Sequence, residues 1–246
     1  MSNLKTNSPQ QPQPNFFKVI AEKLLERNFL LFATITLFII MYIAGLIVYK
    51  DKNFANLQVF LNLFTSNAGL IIVSVGMTMV LITGGIDISV GSVVAVTCMM
   101  LAAMMEKAHM GVVPAMLIVL VFGVIFGAVQ GWLIAYLNIQ PFIVTLAGMF
   151  FARGLTAMIS LEMITITNAT FLAIAQKKIY LPFGGYVNKK GVMIYPYIYP
   201  TVILALIIVV LAYLLLRFTK FGRAIYAVGG KEQSALLMGL NVKRTK

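Results

Sequence analysis

Long stretches of this chain contain no Asp, Glu, Lys or Arg. They cover residues 28–49, 53–86, 88–105, 108–152 and 191–216. An α-helix needs about 20 mostly apolar residues to cross the hydrocarbon layer of a bilayer. Several of these runs suffice, and the fourth is long enough to cross twice. A globular domain is about a quarter charged, whereas this chain of 246 residues is 11% charged and 61% hydrophobic. Too little charge is present to cover a soluble fold. The expected fold class is therefore all-α, a polytopic transmembrane helical bundle.

Six spans fit best, near 28–49, 67–84, 88–105, 112–137, 142–161 and 200–217. The fourth and fifth separate at Pro141, which can begin a helix but cannot continue one. This divides the chain into an N-terminal tail over 1–27, a membrane domain over 28–217 and a basic segment over 218–246. The tail opens with a polar Gln/Pro stretch that has nothing to bury and is expected to be disordered. The net charge of +12 collects at the ends. Lys5, Lys18, Lys23 and Arg27 precede the first span, and Arg217, Lys220, Arg223, Lys231, Lys243, Arg244 and Lys246 follow the last against the single acid Glu232. Basic residues concentrate on cytoplasmic segments, so both termini are expected in the cytoplasm and the loop over 162–199 outside. That loop carries four lysines, and Lys50 and Lys52 also fall outside after the first span; the ends outweigh these exceptions. No basic face with interleaved aromatics is present, which argues against nucleic acid as a partner.

No enzyme constellation is visible. His109 is the only histidine and lies in a short loop, and Cys98 is the only cysteine, inside an apolar run. The GxxxxGK[ST] loop that cradles nucleotide phosphates is missing, and no metal or cofactor set is expected. Gly123, Gly127 and Gly131 recur every fourth residue, a spacing that lets another helix backbone approach.

Three features stand out. The run Gly84, Gly85, Ile86, Asp87, Ile88, Ser89, Val90, Gly91, Ser92 lies between the second and third spans. Two glycines break a helix, Asp87 can cap the next, and Ser89 and Ser92 can bond freed backbone groups. It reads either as a tight turn or as a broken helix bordering a permeation pathway, since interrupted helices in membranes occur where protein or a water-filled cavity satisfies the backbone. Arg153 sits well inside the fifth span, where a cation should face the bundle interior or a polar cavity. It pairs there with carbonyls or touches substrate. The basic, glycine-punctuated stretch 222–239 is either a helix lying on anionic lipid or a docking element for a cytoplasmic partner.

At these residues the chain resembles the permease subunits of ribose-, xylose- and galactose-type ABC sugar importers. The Gly-Gly-Ile-Asp-Ile-Ser-Val-Gly-Ser run, the Pro-Phe-Ile-Val-Thr-Leu segment from Pro141 to Leu146 followed by Arg153, and the stretch from Gly222 to Gly229 ending in Ala235 and Gly239 occur in the family's order. The wording at Ala147, Gly148, Met149, Phe150 and Phe151 is especially similar to the galactofuranose permease branch. The resemblance implies a homo- or heterodimeric pore, ATPase subunits on the cytoplasmic side that hydrolyse ATP in place of this non-enzymatic chain, and a periplasmic sugar-binding protein, all at the bacterial inner membrane. Gly84, Gly85, Asp87, Ser89 and Arg153 would border the substrate pathway. Gly229, Glu232, Gln233, Ser234, Ala235 and Gly239 would belong to the ATPase-coupling region. Gln233 and Ser234 stand where many importers have Glu and Ala. Family members continue with further spans, so an incomplete permease is expected: a truncated gene, a partial sequence or half of a split subunit. The competing readings are an ATP-independent carrier or channel, which carboxylates in mid-span would favour, and a non-transporting membrane fragment.

Overall fold

The computed structural model describes residues 29–50, 54–187 and 193–246. The tail expected over 1–27 lies outside them, as do Lys52, Lys189 and Lys190. Two units are distinguished, Met1–Val59 and Phe60–Lys246. In the first, α1 (Phe29–Val48) is an apolar helix with no buried residue. Near its end the rings of Tyr42 and Phe54 lie 5.7 Å apart.

The second unit holds most of α2 (Leu57–Ile82), then α3 (Val90–Glu106), α4 (Val112–Tyr136), α5 (Pro141–Ile159), a short α6 (Ala169–Ala175) and α7 (Pro200–Phe218). Three small helices follow: α8 (Lys220–Gly230), α9 (Glu232–Leu237) and α10 (Val242–Thr245). Helices α1, α2, α4, α5 and α7 are long and apolar enough to cross a membrane, and α3 is an apolar helix of 17 residues. The protein is thus a multi-pass membrane protein of the all-α class, with almost no sheet.

α2 begins ahead of the span expected from 67. Its polar early residues are absorbed by the helix itself: Thr65 donates to the Leu61 carbonyl and Asn67 to the Leu63 carbonyl. Such bonds back to the preceding turn let hydroxyl and amide side chains sit in a helix. Pro141 occupies the first turn of α5, and Pro200 that of α7.

α3 packs on α5 and on α4, and Met105 of α3 is buried together with Val112 and Ala115 of α4. α2 and α7 meet through Ala68, Val202 and Ala205. Small residues at these contacts are what a bundle in lipid needs, because lipid supplies no hydrophobic drive and backbones must come close. The outward surface is apolar, with residues such as Leu120, Val124 and Leu211 exposed, and Cys98 is exposed on α3.

Between α5 and α7 lies a structured cap. β1 (Ile179–Tyr180) pairs antiparallel with β4 (Tyr197–Ile198), and β2 (Tyr186–Val187) with β3 (Met193–Ile194). Lys178 stands 4.5 Å above the Tyr197 ring, whose neighbours are Tyr180 and Tyr199. The cap is fastened to α3 by Glu106. Its carboxylate accepts from the Thr167 amide at 2.7 Å, the Thr167 hydroxyl at 2.6 Å and the Asn168 amide at 3.0 Å. Asn168 in turn caps α6 by accepting from the amides of Thr170 and Phe171.

Candidate functional site at the helix break

α2 stops at Ile82, and Gly84 explains how. Its φ of 81° is left-handed, a conformation that costs glycine nothing. The Gly84 amide donates to the Leu81 carbonyl at 3.0 Å and the Gly85 amide to the Val80 carbonyl at 3.0 Å. This pair of bonds is the Schellman closure, which satisfies carbonyls left over at a helix end. The chain then runs without regular structure until α3 starts at Val90.

The break is tied down by side chains from three elements. The Asp87 carboxylate accepts from the Ser89 amide at 2.8 Å and from the Ser89 hydroxyl at 2.7 Å. Asp87 thus orders the turn; the N-cap position of α3 belongs to Ser89, and no side chain caps the helix there. Because the hydroxyl proton of Ser89 goes to Asp87, its oxygen is free to accept from the Gln130 amide of α4, 3.3 Å away. From α5, the Thr145 hydroxyl lies 3.2 Å from the Ile86 carbonyl and 2.9 Å from its own helix's Pro141 carbonyl. Ser89 is 1% exposed, Thr145 2% and Gln130 9%. A buried amide or hydroxyl without a partner costs about 1–3 kcal/mol, so these contacts fix the three elements against one another.

Gln130 also reaches a cleft of about 580 Å³ between α4 and α5, whose walls include Phe122, Phe126 and Phe151. Among the described residues it is the one polar side chain lining this cleft. Gly148 makes room for it: a β-carbon at that position would run into the Gln130 amide. Gln130, Thr145 and Gly148 were not singled out from the sequence as site residues. The available signal was that Gln130 is the sole amide in the apolar run 112–136.

Arg153 stands elsewhere. It lies about 18 Å along α5 from Pro141 at the usual helical rise, exposed, with no hydrogen bond or ion pair to any described residue. No ion pair joins Arg153 to Asp87, which is engaged by Ser89 near the opposite end of α5, and the pairing with carbonyls expected for Arg153 is not made among the described residues.

The glycine stripe of α4 differs from expectation. β-carbons at Gly123, Gly127 and Gly131 would meet nothing within 4 Å. The close approach expected there is not made among the described residues.

The stretch after α7 forms its own small module. Thr219 turns the chain by donating to the Leu215 carbonyl at 2.6 Å and accepting from the Gly222 amide at 3.1 Å. Val228 of α8, Ala235 of α9 and Val242 of α10 are buried together. Ala235 therefore faces this internal core, and Glu232 is bound by Lys246 of the same chain at 2.6 Å. Gly239, with φ 79°, closes α9: its amide donates to Leu236 and the Leu240 amide to Ala235. Gln233 is exposed and Ser234 half-buried, while Leu236, Leu237 and Met238 project outward at 56%, 90% and 67% exposure.

A multi-pass helical bundle with a broken helix held by buried polar side chains defines the general class, a polytopic helical membrane protein. The chain belongs to the family described as "Branched-chain amino acid transport system / permease component", whose model matches residues 59–246. It is 38% identical over 222 residues to the inner membrane ABC transporter permease protein YjfF of Escherichia coli (strain K12), covering 90% of this chain and 63% of that protein. It is 39% identical to the fructose import permease protein FruG of Bifidobacterium longum, covering 87% and 61%. It is 31% identical to the ribose import permease protein RbsC of Escherichia coli (strain K12), covering 86% and 62%. The chain thus spans less than two thirds of the length of these relatives. No solved structure matches it.

Proposed function

We propose that this chain forms part of the pore of an ATP-driven importer for a monosaccharide, in a permease of the relatives' length that carries this segment. The observation that supports this best is the polar break itself. Asp87, Ser89, Gln130 and Thr145 gather at a helix interruption inside an apolar bundle, in a chain similar to permeases named for fructose and ribose import. Interrupted backbone at membrane depth is tolerated where it borders protein or a polar cavity. Gly84, Gly85, Asp87 and Ser89 border the pathway in this reading, and Arg153 meets substrate or a second permease subunit, homo- or heterodimeric. The wording from Ala147 to Phe151 favours a furanose sugar of the galactofuranose or ribose kind. Gly123, Gly127 and Gly131, open here, receive a helix from outside the described chain.

The membrane domain over 28–217 lies in a bacterial inner membrane, with the tail over 1–27 and the module over 218–246 in the cytoplasm. ATP is hydrolysed by separate ATPase subunits that dock on this module, and a periplasmic sugar-binding protein delivers the substrate. The exposed Leu237 and Met238 suit burial in a partner's cleft, with Gln233, Ser234 and Gly239 beside them. A permease of full length carrying this segment, purified in mild detergent from cells that express its operon, should bring down an ATP-binding subunit in stoichiometric amount. Recovery of the permease free of any such subunit, across detergents that preserve its dimer, would remove the proposal.

A further inference from the structure

Two backbone contacts clamp α8 between the ends of two membrane helices. At Gly222, a β-carbon would strike the carbonyls of Leu215 and Leu216 in the last turn of α7. Two turns later, a β-carbon at Gly229 would fall on the Ile82 carbonyl, with the Thr83 α-carbon just beyond. Neither obstacle is a side-chain tip that could swing aside. Gly229 is exposed on one side, while the side where a β-carbon would sit is the face against α2. The next glycine, Gly230, has nothing within 4 Å in that direction.

The place where Gly229 touches α2 matters. Ile82 is the last residue of that helix, directly ahead of the turn at Gly84 and Gly85 that leads to Asp87 and Ser89. The same module also touches α4, the helix that carries Gln130, through α10. The core of Val228, Ala235 and Val242 makes α8, α9 and α10 one body. A displacement of that body therefore bears on the end of α2, directly ahead of the turn that leads to Asp87 and Ser89, and on α4.

The geometry points to Gly229 as a positioning residue. It sets α8 in register against the Ile82 carbonyl, so that movement of the 218–246 module opens or closes the Gly84–Gly85 turn. This rests on the importer reading, but it places Gly229 in contact with the permease's own helix and not with the ATPase. A docking residue and a positioning residue fail differently when substituted. Loss of docking removes the ATPase; loss of register leaves the ATPase bound and stops transport.

The test compares Gly229→Ala with Gly230→Ala in the full-length permease, co-expressed with its ATPase subunit and binding protein. Gly229→Ala should lower sugar uptake by at least about tenfold, at the strong end of what changes along a coupling network produce, while recovering the ATPase as the unsubstituted permease does. Gly230→Ala should transport normally. Normal uptake by Gly229→Ala, or loss of the ATPase from it, would overturn the inference. Should that variant fail to accumulate, hydrogen–deuterium exchange in the unsubstituted complex decides: the Gly84 and Gly85 amides should change protection between the nucleotide-free and ATP-bound states, and unchanged protection would overturn it. An unsubstituted permease that recovers no ATPase would instead remove the importer reading.

Discussion

Ser89 shows how much rests on one proton. Its hydroxyl donates to Asp87 and accepts from Gln130, so three residues from two elements share one hydrogen-bonded chain, with all direction set by the carboxylate. Replacing Gln130 by Leu keeps the volume and removes the donor. The lost bond is worth about 1 kcal/mol and the stranded oxygen up to about 3 kcal/mol. Sugar uptake by a full-length Gln130→Leu permease should therefore fall about tenfold or more, with membrane levels near those of the unsubstituted protein. Uptake and size-exclusion yield measured together check this; normal uptake would reduce the cluster to scaffolding. Asp87 and Ser89 were legible in the sequence because a glycine pair, an acid and a hydroxyl within six positions state a break locally. Gln130 and Thr145 were not, since their meaning comes from α4 and α5 folding back onto residues 41 and 59 positions away. Ala235 and Glu232 carry the same lesson in reverse. They read as partner contacts in the sequence, yet one is packed inside the module and the other bound by Lys246.

At the scale of helices, the bounds of α1, α4, α5 and α7 follow from where charges and prolines fall, which is why they were legible. α2 was longer than its apolar stretch because Thr65 and Asn67 bond back to their own helix. The strand pairs of the cap were invisible, since two-residue strands joined across 179–198 leave no periodicity to read. Contacts sort several helix ends into two groups. Ile82 meets the module after α7 at one end, and Glu106 meets Thr167 and Asn168 at the other. If the module is cytoplasmic, the cap is outside. Cysteines introduced at Lys243 and at Met163, which is 90% exposed, should differ in intact cells: a membrane-impermeant maleimide should label Met163→Cys and leave Lys243→Cys untouched until the cells are opened. The opposite pattern would invert the topology.

For the whole molecule, the wide apolar surface and the scarcity of buried large side chains describe a bundle built to be covered by lipid and by other membrane helices. Val96 is among the few side chains that are fully buried. Arg153 fits the same description: a cation exposed part-way along an apolar helix is costly against lipid and calls for protein or water beside it. The family was legible because its motifs are contiguous runs that fall on the break, on α5 and on the module after α7. What drives transport is the central question for this molecule. In proteoliposomes holding a full-length permease that carries this segment, with its ATPase subunit and binding protein, uptake of labelled sugar should require ATP on the ATPase side and should ignore imposed proton or sodium gradients. Uptake that proceeds without nucleotide and follows such a gradient would contradict the importer reading and establish an ion-coupled carrier.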